Sequence, residues 1–293
     1  MSTTLAKGLI ALLRLPYWLM TGGLSLLTAF AITKDPLSIS AQTILLIFFS
    51  MAFITSAGFA INDYFDRESD AVIKPKRPIP SGALSLKQVM AVSGLLFALG
   101  LIMSSLINWL SFTIIAADSL LLLVYSYLVK RKSGFTANVL VGILTGTAFM
   151  YGEATIANNI SLISLSLYPI AFGTIGGNVL RDILSLEGDS KIGYPTLPQK
   201  IGNVNSAKVA AAFFIATGVL VPLPYFLGNF TVFYLPLILM WSAILIYASI
   251  RIITSASTPA KVRKYERMVT MSMILLPLAL IVEALSPVIG GLV

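Results

Sequence analysis

Residues 51–70 read MAFITSAGFAINDYFDRESD, an apolar run that ends directly in three closely spaced aspartates. With the apolar residues that precede it from position 42, the run is long enough to cross a bilayer, which takes roughly 20 helical residues. Further stretches of this kind recur along the chain, and long continuous runs predict helices, whereas a membrane barrel shows short alternating segments. The predicted fold class is therefore an all-α integral membrane protein. Its nine predicted spans are approximately residues 9–32, 42–62, 88–107, 110–128, 137–157, 160–183, 207–227, 232–254 and 269–291.

The composition supports the membrane assignment and excludes several chemistries. Of 293 residues, 57% are hydrophobic and only 11% are charged, which excludes an ordinary soluble domain. The chain has no cysteine, so disulfides and thiolate chemistry are excluded. It has no histidine either, which removes the commonest general base and the commonest ligand of transition metals.

The net charge of +8 reflects topology rather than nucleic-acid binding. When each of the 20 Lys and Arg residues is assigned to a loop or helix end, 19 fall on one side and only Lys34 on the other. The positive-inside rule then predicts a cytoplasmic N-terminus, cytoplasmic acidic loops and an external C-terminus. The first span contains Arg14 and lacks a small-residue cleavage site, so we interpret it as a retained helix rather than a signal peptide.

The three aspartates share one face of a predicted helix. Asp63, Asp66 and Asp70 are spaced i, i+3 and i+7, within about 60° of one another, and Asn62 borders them. A second stretch, DILSLEGD at 182–189, repeats this spacing with one aspartate replaced by serine. The repetition indicates either an internal duplication or convergence on one chemical need. The matching positions are Asp63 with Asp182, Asp66 with Ser185, Asp70 with Asp189, and, off the shared face, Glu68 with Glu187.

Both acidic stretches follow an apolar span, at the C-terminal end of a helix. There the helix dipole disfavours each anion by roughly 0.3–1 kcal/mol, so a cation should offset them. Oxygen ligands without histidine or cysteine favour Mg²⁺ or Ca²⁺, and Mg²⁺ completes its shell with water and phosphate. Two facing clusters therefore predict a diphosphate held through bridging metal. The alternative interpretation is a pair of solvated helix ends at the membrane surface.

Basic residues on the same side fit a diphosphate site, because a leaving diphosphate needs cationic partners. Positive-inside topology would place most of them there in any case. The segment 75–82, PKRPIPSG, cannot continue a helix, so we predict a shaped loop that folds back over the site. The basic residues are Lys74, Lys76, Arg77, Lys130, Arg131, Lys132, Arg181 and Lys191.

These motifs resemble those of the UbiA-type intramembrane prenyltransferases, and the resemblance runs through the whole chain. It rests on NDYFDRESDAVIKPKRPIPSG at 62–82, RDILSLEGD at 181–189, YPTLP at 194–198 and YSYLVKRKSGFTAN at 125–138, with Arg14 and Pro16 as a looser match. It implies one domain over 1–293, with the nine helices arranged around a central cavity that is capped on the cytoplasmic side and open laterally to lipid. It also implies Mg²⁺-dependent transfer of a prenyl group from a prenyl diphosphate to a lipophilic acceptor.

The resemblance, together with the residues that flank the acidic stretches, gives the expected site. Aromatic faces could shield an allylic cation, for which Tyr64, Tyr125 and Tyr151 are candidates. The catalytic residues are expected to be Asp63, Asp66, Asp182, Asp189, Lys130 and Lys191. The substrate-binding residues are expected to be Arg14, Asn62, Arg67, Asp70, Lys74, Arg77, Tyr125, Asn138, Tyr151 and Ser185. The metal ligands are expected to be Asp63, Asp66, Asp70, Asp182 and Asp189.

The acceptor is left open by departures from the family pattern. Many members carry a third aspartate in place of Ser185 and an Arg-Glu pair in place of Gly177 and Asn178, and DxxSxEGD with RPIPSG is similar to chlorophyll-synthase-like members. The leading interpretation is transfer of geranylgeranyl from its diphosphate to geranylgeranylglyceryl phosphate in ether-lipid synthesis. The alternatives are an aromatic or tetrapyrrole acceptor, a membrane transporter, or a non-catalytic lipid-binding protein. Acids clustered at the cytoplasmic helix ends favour the enzyme over a transporter with a midplane site.

Three further acids lie inside predicted spans. Asp118 is mid-span, where an ionisable group is a functional candidate, although it could equally be a hydrogen-bonded helix contact. Glu153 and Glu283 lie nearer the outer side and are expected to have structural roles.

Overall fold

The computed structural model describes residues 3–255 and 258–291, and these residues form an all-helical bundle. Within these ranges nine helical spans are long and apolar enough to cross a membrane, which confirms the predicted fold class. The spans are α1 (Thr4–Thr33), α2 (Ala41–Phe65), α3 (Leu86–Ser105), α4 (Trp109–Lys132), α5 (Gly134–Ala157), α6 (Leu162–Lys191), α7 (Leu197–Phe226), α8 (Val232–Ser255) and α9 (Ala260–Ala284).

Several spans consist of more than one helical piece, and most breaks lie at a proline, which cannot donate a backbone hydrogen bond. The pieces are Thr3–Leu13 and Pro16–Thr33 in α1; Trp109–Val124, a π-helix at Tyr125–Val129 and Lys130–Lys132 in α4; Leu162–Leu167 and Ile170–Lys191 in α6; Leu197–Leu220 and Leu223–Phe226 in α7; a 3₁₀ turn at Val232–Tyr234 and Leu235–Ser255 in α8; and Pro259–Ser272 and Leu275–Ala284 in α9. Short helices outside the spans are Pro36–Ser38 (3₁₀), Arg67–Ile73 and Ser286–Gly290.

The described residues form two large hydrophobic cores that share α1 and α5, and a smaller third one made of Leu12, Ala60, Leu84 and Val89. One large core joins α2 and α4 to α1 and α5, and the other large core joins α6, α7, α8 and α9 to the same two helices. α1 packs against α2, α5 and α9, so the first span is in contact with the last. The two acidic stretches therefore come from different halves of the bundle, the first from the end of α2 and the second from the end of α6. We call the end of the bundle that carries them the acidic end.

Two spans begin nine or ten residues earlier than the hydropathy pattern predicts. The prediction placed the seventh span at 207–227 and the ninth at 269–291, whereas α7 begins at Leu197 and α9 at Ala260. In both cases a polar helical segment precedes the apolar one. In α7 this segment contains Gly202, whose φ of 77° interrupts the helix. Hydropathy therefore detected the apolar part of each helix and missed its polar beginning.

Candidate active site

The first acidic cluster, Asp63, Asp66 and Asp70, lies where α2 gives way to the short helix Arg67–Ile73. The Asp63 and Asp70 side chains are buried, and Arg77 bridges them with Nη1 at 2.8 Å from Asp63 Oδ1 and 2.5 Å from Asp70 Oδ2. Asp66 forms the junction between the two helices, with φ −85° and ψ 0°. The chain thus bends at Asp66, yet the i, i+7 pair still faces one shared partner.

Arg14 supplies a second cation to this cluster from α1. Its Nη2 donates to Asp63 Oδ1 at 2.6 Å, and its guanidinium lies 4.3 Å from the ring centroid of Phe59. Arg14 has φ 49°, a left-handed conformation that is uncommon for a residue with a side chain. This residue lies at the break before Pro16, so the interruption of α1 is what directs the guanidinium to Asp63.

Asp66 pairs with a third cation, which α4 delivers through its π-helix. Lys130 Nζ contacts Asp66 Oδ2, and Asn62 Nδ2 donates to the same oxygen at 2.9 Å. The backbone N–H of Lys130 bonds to the carbonyl of Tyr125, the wider i→i+5 pattern. Such π-turns inside α-helices are frequent at functional sites. Here the π-turn sets the relative positions of Tyr125 and Lys130, both of which were expected at the site.

The second acidic cluster, Asp182 and Asp189, has neutral hydrogen-bond donors in place of cations. Asn138 Nδ2 donates to Asp182 Oδ2 at 2.8 Å, and Ser185 Oγ donates to Asp189 Oδ2 at 2.5 Å. Across the residues that the structure describes, neither carboxylate forms an ion pair. Glu187 points off this face and pairs with Lys191 at 3.0 Å, both exposed. The second cluster therefore keeps uncompensated negative charge.

A cleft of about 470 Å³ at the acidic end is lined by Asp66 of the first cluster, and its Tyr194 also interacts electrostatically with Asp182 and Asp189 of the second. Tyr125 lies within electrostatic range of both Asp66 and Asp182. Tyr194, in the connection before α7, lines the cleft together with Asp66 and Lys130. Burial raises the pKa of the Tyr194 phenol, and the carboxylates of both clusters raise it further. The phenol thus stays protonated and can donate a hydrogen bond into the cleft.

The loop after the first cluster folds back over the site, as the prolines and glycine of 75–82 predict. Leu84 is buried against Leu12 and Ala60, and this anchors the loop from which Arg77 reaches the two carboxylates. Desolvation lowers the pKa of the nearby Lys74 ammonium, and the positive charge of Arg77 lowers it further. Within the described ranges Lys74 forms no ion pair, so it is a cation close to the clusters that is still available to a ligand.

The donor set suits a hard cation, because it consists of carboxylate, amide and hydroxyl oxygens. Nowhere in residues 3–255 and 258–291 do three acidic side chains converge on one point. The first cluster is already neutralised by Arg14, Arg77 and Lys130. Of the five expected metal ligands, Asp182 and Asp189 have no cationic partner in the described ranges and so fit a hard cation, whereas Asp63, Asp66 and Asp70 are paired with cations in this structure.

Not every expected site residue contacts an aspartate of the two clusters. Lys191 pairs with the exposed Glu187, and Arg67 bonds to Glu68, which lines the cleft, and to the Tyr64 carbonyl. Tyr151 is fully buried in a hydrophobic core, where its hydroxyl bonds to Ser50 at 2.5 Å. The expected residues that the structure does bring together are Arg14, Asn62, Asp63, Asp66, Asp70, Lys74, Arg77, Tyr125, Lys130, Asn138, Asp182, Ser185 and Asp189.

Tyr194 is a site residue that the sequence reasoning did not select. Tyr194 is the first residue of YPTLP at 194–198, one of the stretches that resemble the family, but the motif by itself assigns no role to the tyrosine. The structure shows the reason for its position, since the backbone N–H of Gly134 bonds to the carbonyl of Pro195 at 2.9 Å and holds this connection against the start of α5.

The other intramembrane acids have protein partners. Glu153 is buried and accepts hydrogen bonds from Ser161 and Ser164. Glu283 is fully buried, accepts from Thr231 and pairs with Lys34 at 3.2 Å. Asp118 Oδ2 accepts from Thr147 at 2.8 Å, whereas its Oδ1 is buried without a partner in the described part of the chain. The contacts of the two glutamates support structural roles for them.

Comparison with known proteins agrees with the motifs. Residues 17–275 match the model of the UbiA prenyltransferase family. A digeranylgeranylglyceryl phosphate synthase of Natronomonas pharaonis is 36% identical over 229 residues, which is 78% of this chain and 81% of that protein.

Two solved structures are similar in fold. One, described as “Structural and mechanistic insights into the biosynthesis of Digeranylgeranylglyceryl phosphate synthase in membranes”, has a TM-score of 0.81 and 28% identity, covering 96% of this chain and 99% of that chain. The other, a UbiA homolog from Archaeoglobus fulgidus bound to DMAPP and Mg²⁺, has a TM-score of 0.69 and 22% identity, covering 95% of this chain and 99% of that chain.

Proposed function

Since the chain belongs to the UbiA prenyltransferase family, we propose that it transfers a geranylgeranyl group from geranylgeranyl diphosphate to geranylgeranylglyceryl phosphate, with Mg²⁺ as cofactor. The observation that carries this proposal is a pair of acidic clusters at one end of the bundle, one neutralised by cations and one not, with Tyr194 of the cleft interacting electrostatically with both. The acceptor is proposed from the name of the Natronomonas pharaonis relative.

Asp182 and Asp189 are the residues proposed to hold Mg²⁺, because their carboxylates have no cationic partner among the described residues. Mg²⁺ bound there would supply positive charge to the diphosphate oxygens. Asn138 and Ser185 each donate to one carboxylate oxygen and so orient the other oxygen of each group. Support for this cofactor comes from the Archaeoglobus fulgidus homolog that is bound to DMAPP and Mg²⁺.

Lys74, which forms no ion pair in the described ranges, and Lys130, which lines the cleft, would stabilise the leaving group. When the bond between C1 of the prenyl chain and the diphosphate oxygen breaks, negative charge develops on the diphosphate. Lys130 lines the cleft and Lys74 is exposed, while Arg14 and Arg77 keep the buried carboxylates neutralised. Cations already in place before the reaction stabilise this charge without reorganisation.

Tyr194 lines the cleft and Tyr125 lies near Asp66 and Asp182, so both rings are candidates to face the allylic carbon as it becomes positive, an interaction that aromatic faces favour. The acceptor hydroxyl then forms the new C–O bond and loses its proton. Because the chain has no histidine, the available proton acceptors are a carboxylate, the departing diphosphate and water.

An acceptor panel tests the proposed reaction. The purified protein is incubated with labelled geranylgeranyl diphosphate, Mg²⁺ and one acceptor at a time: geranylgeranylglyceryl phosphate, a hydroxybenzoate, a naphthoate, homogentisate or a chlorophyllide. Of these acceptors, only geranylgeranylglyceryl phosphate is expected to yield a prenylated product. Chelation of Mg²⁺ should abolish formation of that product. Prenylation of an aromatic or tetrapyrrole acceptor instead would replace the proposed acceptor. Failure to release diphosphate with any acceptor would contradict catalysis altogether.

Paired substitutions test the second acidic cluster. Asp182→Asn and Asp189→Asn are each expected to lower kcat/KM by at least about 100-fold, because they remove charge from the proposed Mg²⁺ ligands. Glu187→Gln removes the same charge from the exposed face of the same helix and is the matched control. Equal activity of all three variants would contradict the assignment. The apparent affinity for Mg²⁺ should weaken in the two aspartate variants only.

A further inference from the structure

The first helix of α9, Pro259–Ser272, carries basic residues on one exposed stripe. Arg263, Lys264 and Arg267 are exposed, whereas Val262, Tyr265 and Val269 on the opposite face are buried against the bundle. The i, i+1 and i+4 spacing places the three cations side by side on the outer surface. This group, which we call the α9 basic stripe, is well separated in sequence from the acidic clusters.

The same face continues as an apolar surface through the rest of α9. Met271 is 77% exposed and Ile274 is 59% exposed, followed by exposed Leu278 and Ile281. These positions follow the basic residues at steps of three and four, so one continuous ridge changes from basic to apolar along the helix. Arg267 and Met271 are four residues apart, or about 6 Å along the axis. The change from basic to apolar is therefore as abrupt as the boundary between lipid headgroups and hydrocarbon.

The cations of the stripe have no carboxylate partner in the part of the chain that the structure describes. The neighbouring acid on this helix, Glu266, instead faces Arg181 of α6 at 3.6 Å. Lys264 makes one further contact, with the ring of Tyr265 at 5.7 Å. This contrasts with the first acidic cluster, where Arg14, Arg77 and Lys130 are paired with aspartates.

We propose that the α9 basic stripe and the apolar ridge below it dock an anionic lipid of the surrounding bilayer. Its phosphate would lie among Arg263, Lys264 and Arg267, and its chains would lie along Met271 and Ile274. Charge complementarity favours a phosphate, and the apolar continuation favours a lipid over a free anion. Positive-inside topology alone does not require three clustered cations, since Lys87, Lys200 and Lys208 are exposed and stand singly along their helices.

Lipid retention in native mass spectrometry tests the proposal on the full chain. The protein is purified in detergent, exposed to equal amounts of phosphatidylglycerol and phosphatidylcholine, and the bound lipids are counted. Wild type is expected to retain phosphatidylglycerol preferentially. The triple variant Arg263→Gln, Lys264→Gln, Arg267→Gln is expected to lose about tenfold or more in apparent affinity, because each cation near an anionic lipid contributes to binding.

The matched control is Lys87→Gln, Lys200→Gln, Lys208→Gln, which removes the same charge elsewhere and should retain the lipid as wild type does. Unchanged binding in the α9 variant, or an equal loss in the control, would overturn the proposal. Displacement of the lipid by an equal concentration of inorganic phosphate would show a simple anion site and would also overturn it. If the triple variant does not fold, Arg267→Glu alone should lose the lipid, with Lys208→Glu as its control.

Discussion

Ser185 changes the electrostatics of the second acidic cluster more than its geometry. It stands at the position that matches Asp66, and its hydroxyl donates to Asp189 at 2.5 Å. Asp66 is offset by Lys130, whereas no cation is paired with the second cluster in the described ranges. A third carboxylate there would add repulsion without a protein partner. The serine instead holds Asp189 in place and leaves the negative charge of the cluster at two carboxylates.

Asp118 provides a residue-level prediction that separates its two interpretations. Its carboxyl is buried, has no cationic partner in the described chain and accepts a hydrogen bond from Thr147. An asparagine amide oxygen can accept the same bond, so a helix-contact role tolerates the change at a cost of about 1 kcal/mol or less. We expect Asp118→Asn to keep kcat/KM within about threefold of wild type and to keep its thermal unfolding midpoint. A loss of 100-fold or more in a folded variant would assign Asp118 to function.

Single residues show what local sequence could predict at the site. Asn138 and Arg14 were expected from motif positions, and both contact an acidic cluster. Lys191 was expected because it flanks the second cluster, but two residues along a helix turn a side chain by about 200°, and it meets Glu187 instead. Tyr151 lies thirteen residues beyond Asn138 on α5, about 20 Å deeper in the bundle. Proximity in sequence was therefore a poor guide wherever helical phase or depth decided the outcome.

Some glycines allow two helices to pack closely, and the space around each glycine shows whether an added Cβ would be tolerated there. A Cβ added at Gly22 of α1 would lie 2.4 Å from the carbonyl oxygen of Phe48 on α2, a backbone atom that cannot move aside. A Cβ at Gly94 of α3 would meet nothing within 4 Å. We expect Gly22→Ala to destabilise the protein by about 1–3 kcal/mol, measured as thermal unfolding in detergent.

Gly94→Ala is the matched control, a glycine-to-alanine change on another membrane helix. It should be neutral or stabilising by up to about 1 kcal/mol, since alanine is the better helix former. If both variants unfold at the wild-type temperature, α1 and α2 are not in the close contact described.

At the level of helices, hydropathy predicted the spans, but it could not predict their interruptions. The sequence shows Pro16, which explains the break in α1, and no comparable signal marks the π-turn at Tyr125–Val129. That turn depends on the fit between α4 and its neighbours rather than on local propensity. Hydropathy missed the early start of α9 because the first segment of this helix is basic and has low hydropathy, although it is helical. The features that shape the site are thus those set by tertiary packing.

Across the whole molecule, the candidate site lies at one end of the bundle, and a buried ion pair that joins two helices lies at the other. At the acidic end, α2, α4, α5 and α6 contribute charged or polar side chains to the two acidic clusters. At the opposite end, Lys34 and Glu283 join α1 to α9, and Glu283 also binds the backbone of Thr231 before α8. This pairing closes the ring of helices at a buried carboxylate. Such a carboxylate would be costly without its cation and its hydrogen-bond donors.

The orientation of the bundle is the last expectation, and the absence of native cysteine makes it directly measurable. Nearly all basic residues lie on the side of the acidic end, so we expect that end to face the cytoplasm. Lys200→Cys and Asn159→Cys each place one exposed thiol, at the acidic end and at the opposite end respectively. An impermeant maleimide added to intact cells should label Asn159→Cys at least about tenfold more than Lys200→Cys. Permeabilised cells are the control, in which both sites should react equally. Preferential labelling of Lys200→Cys in intact cells would invert the topology and place the cleft outside.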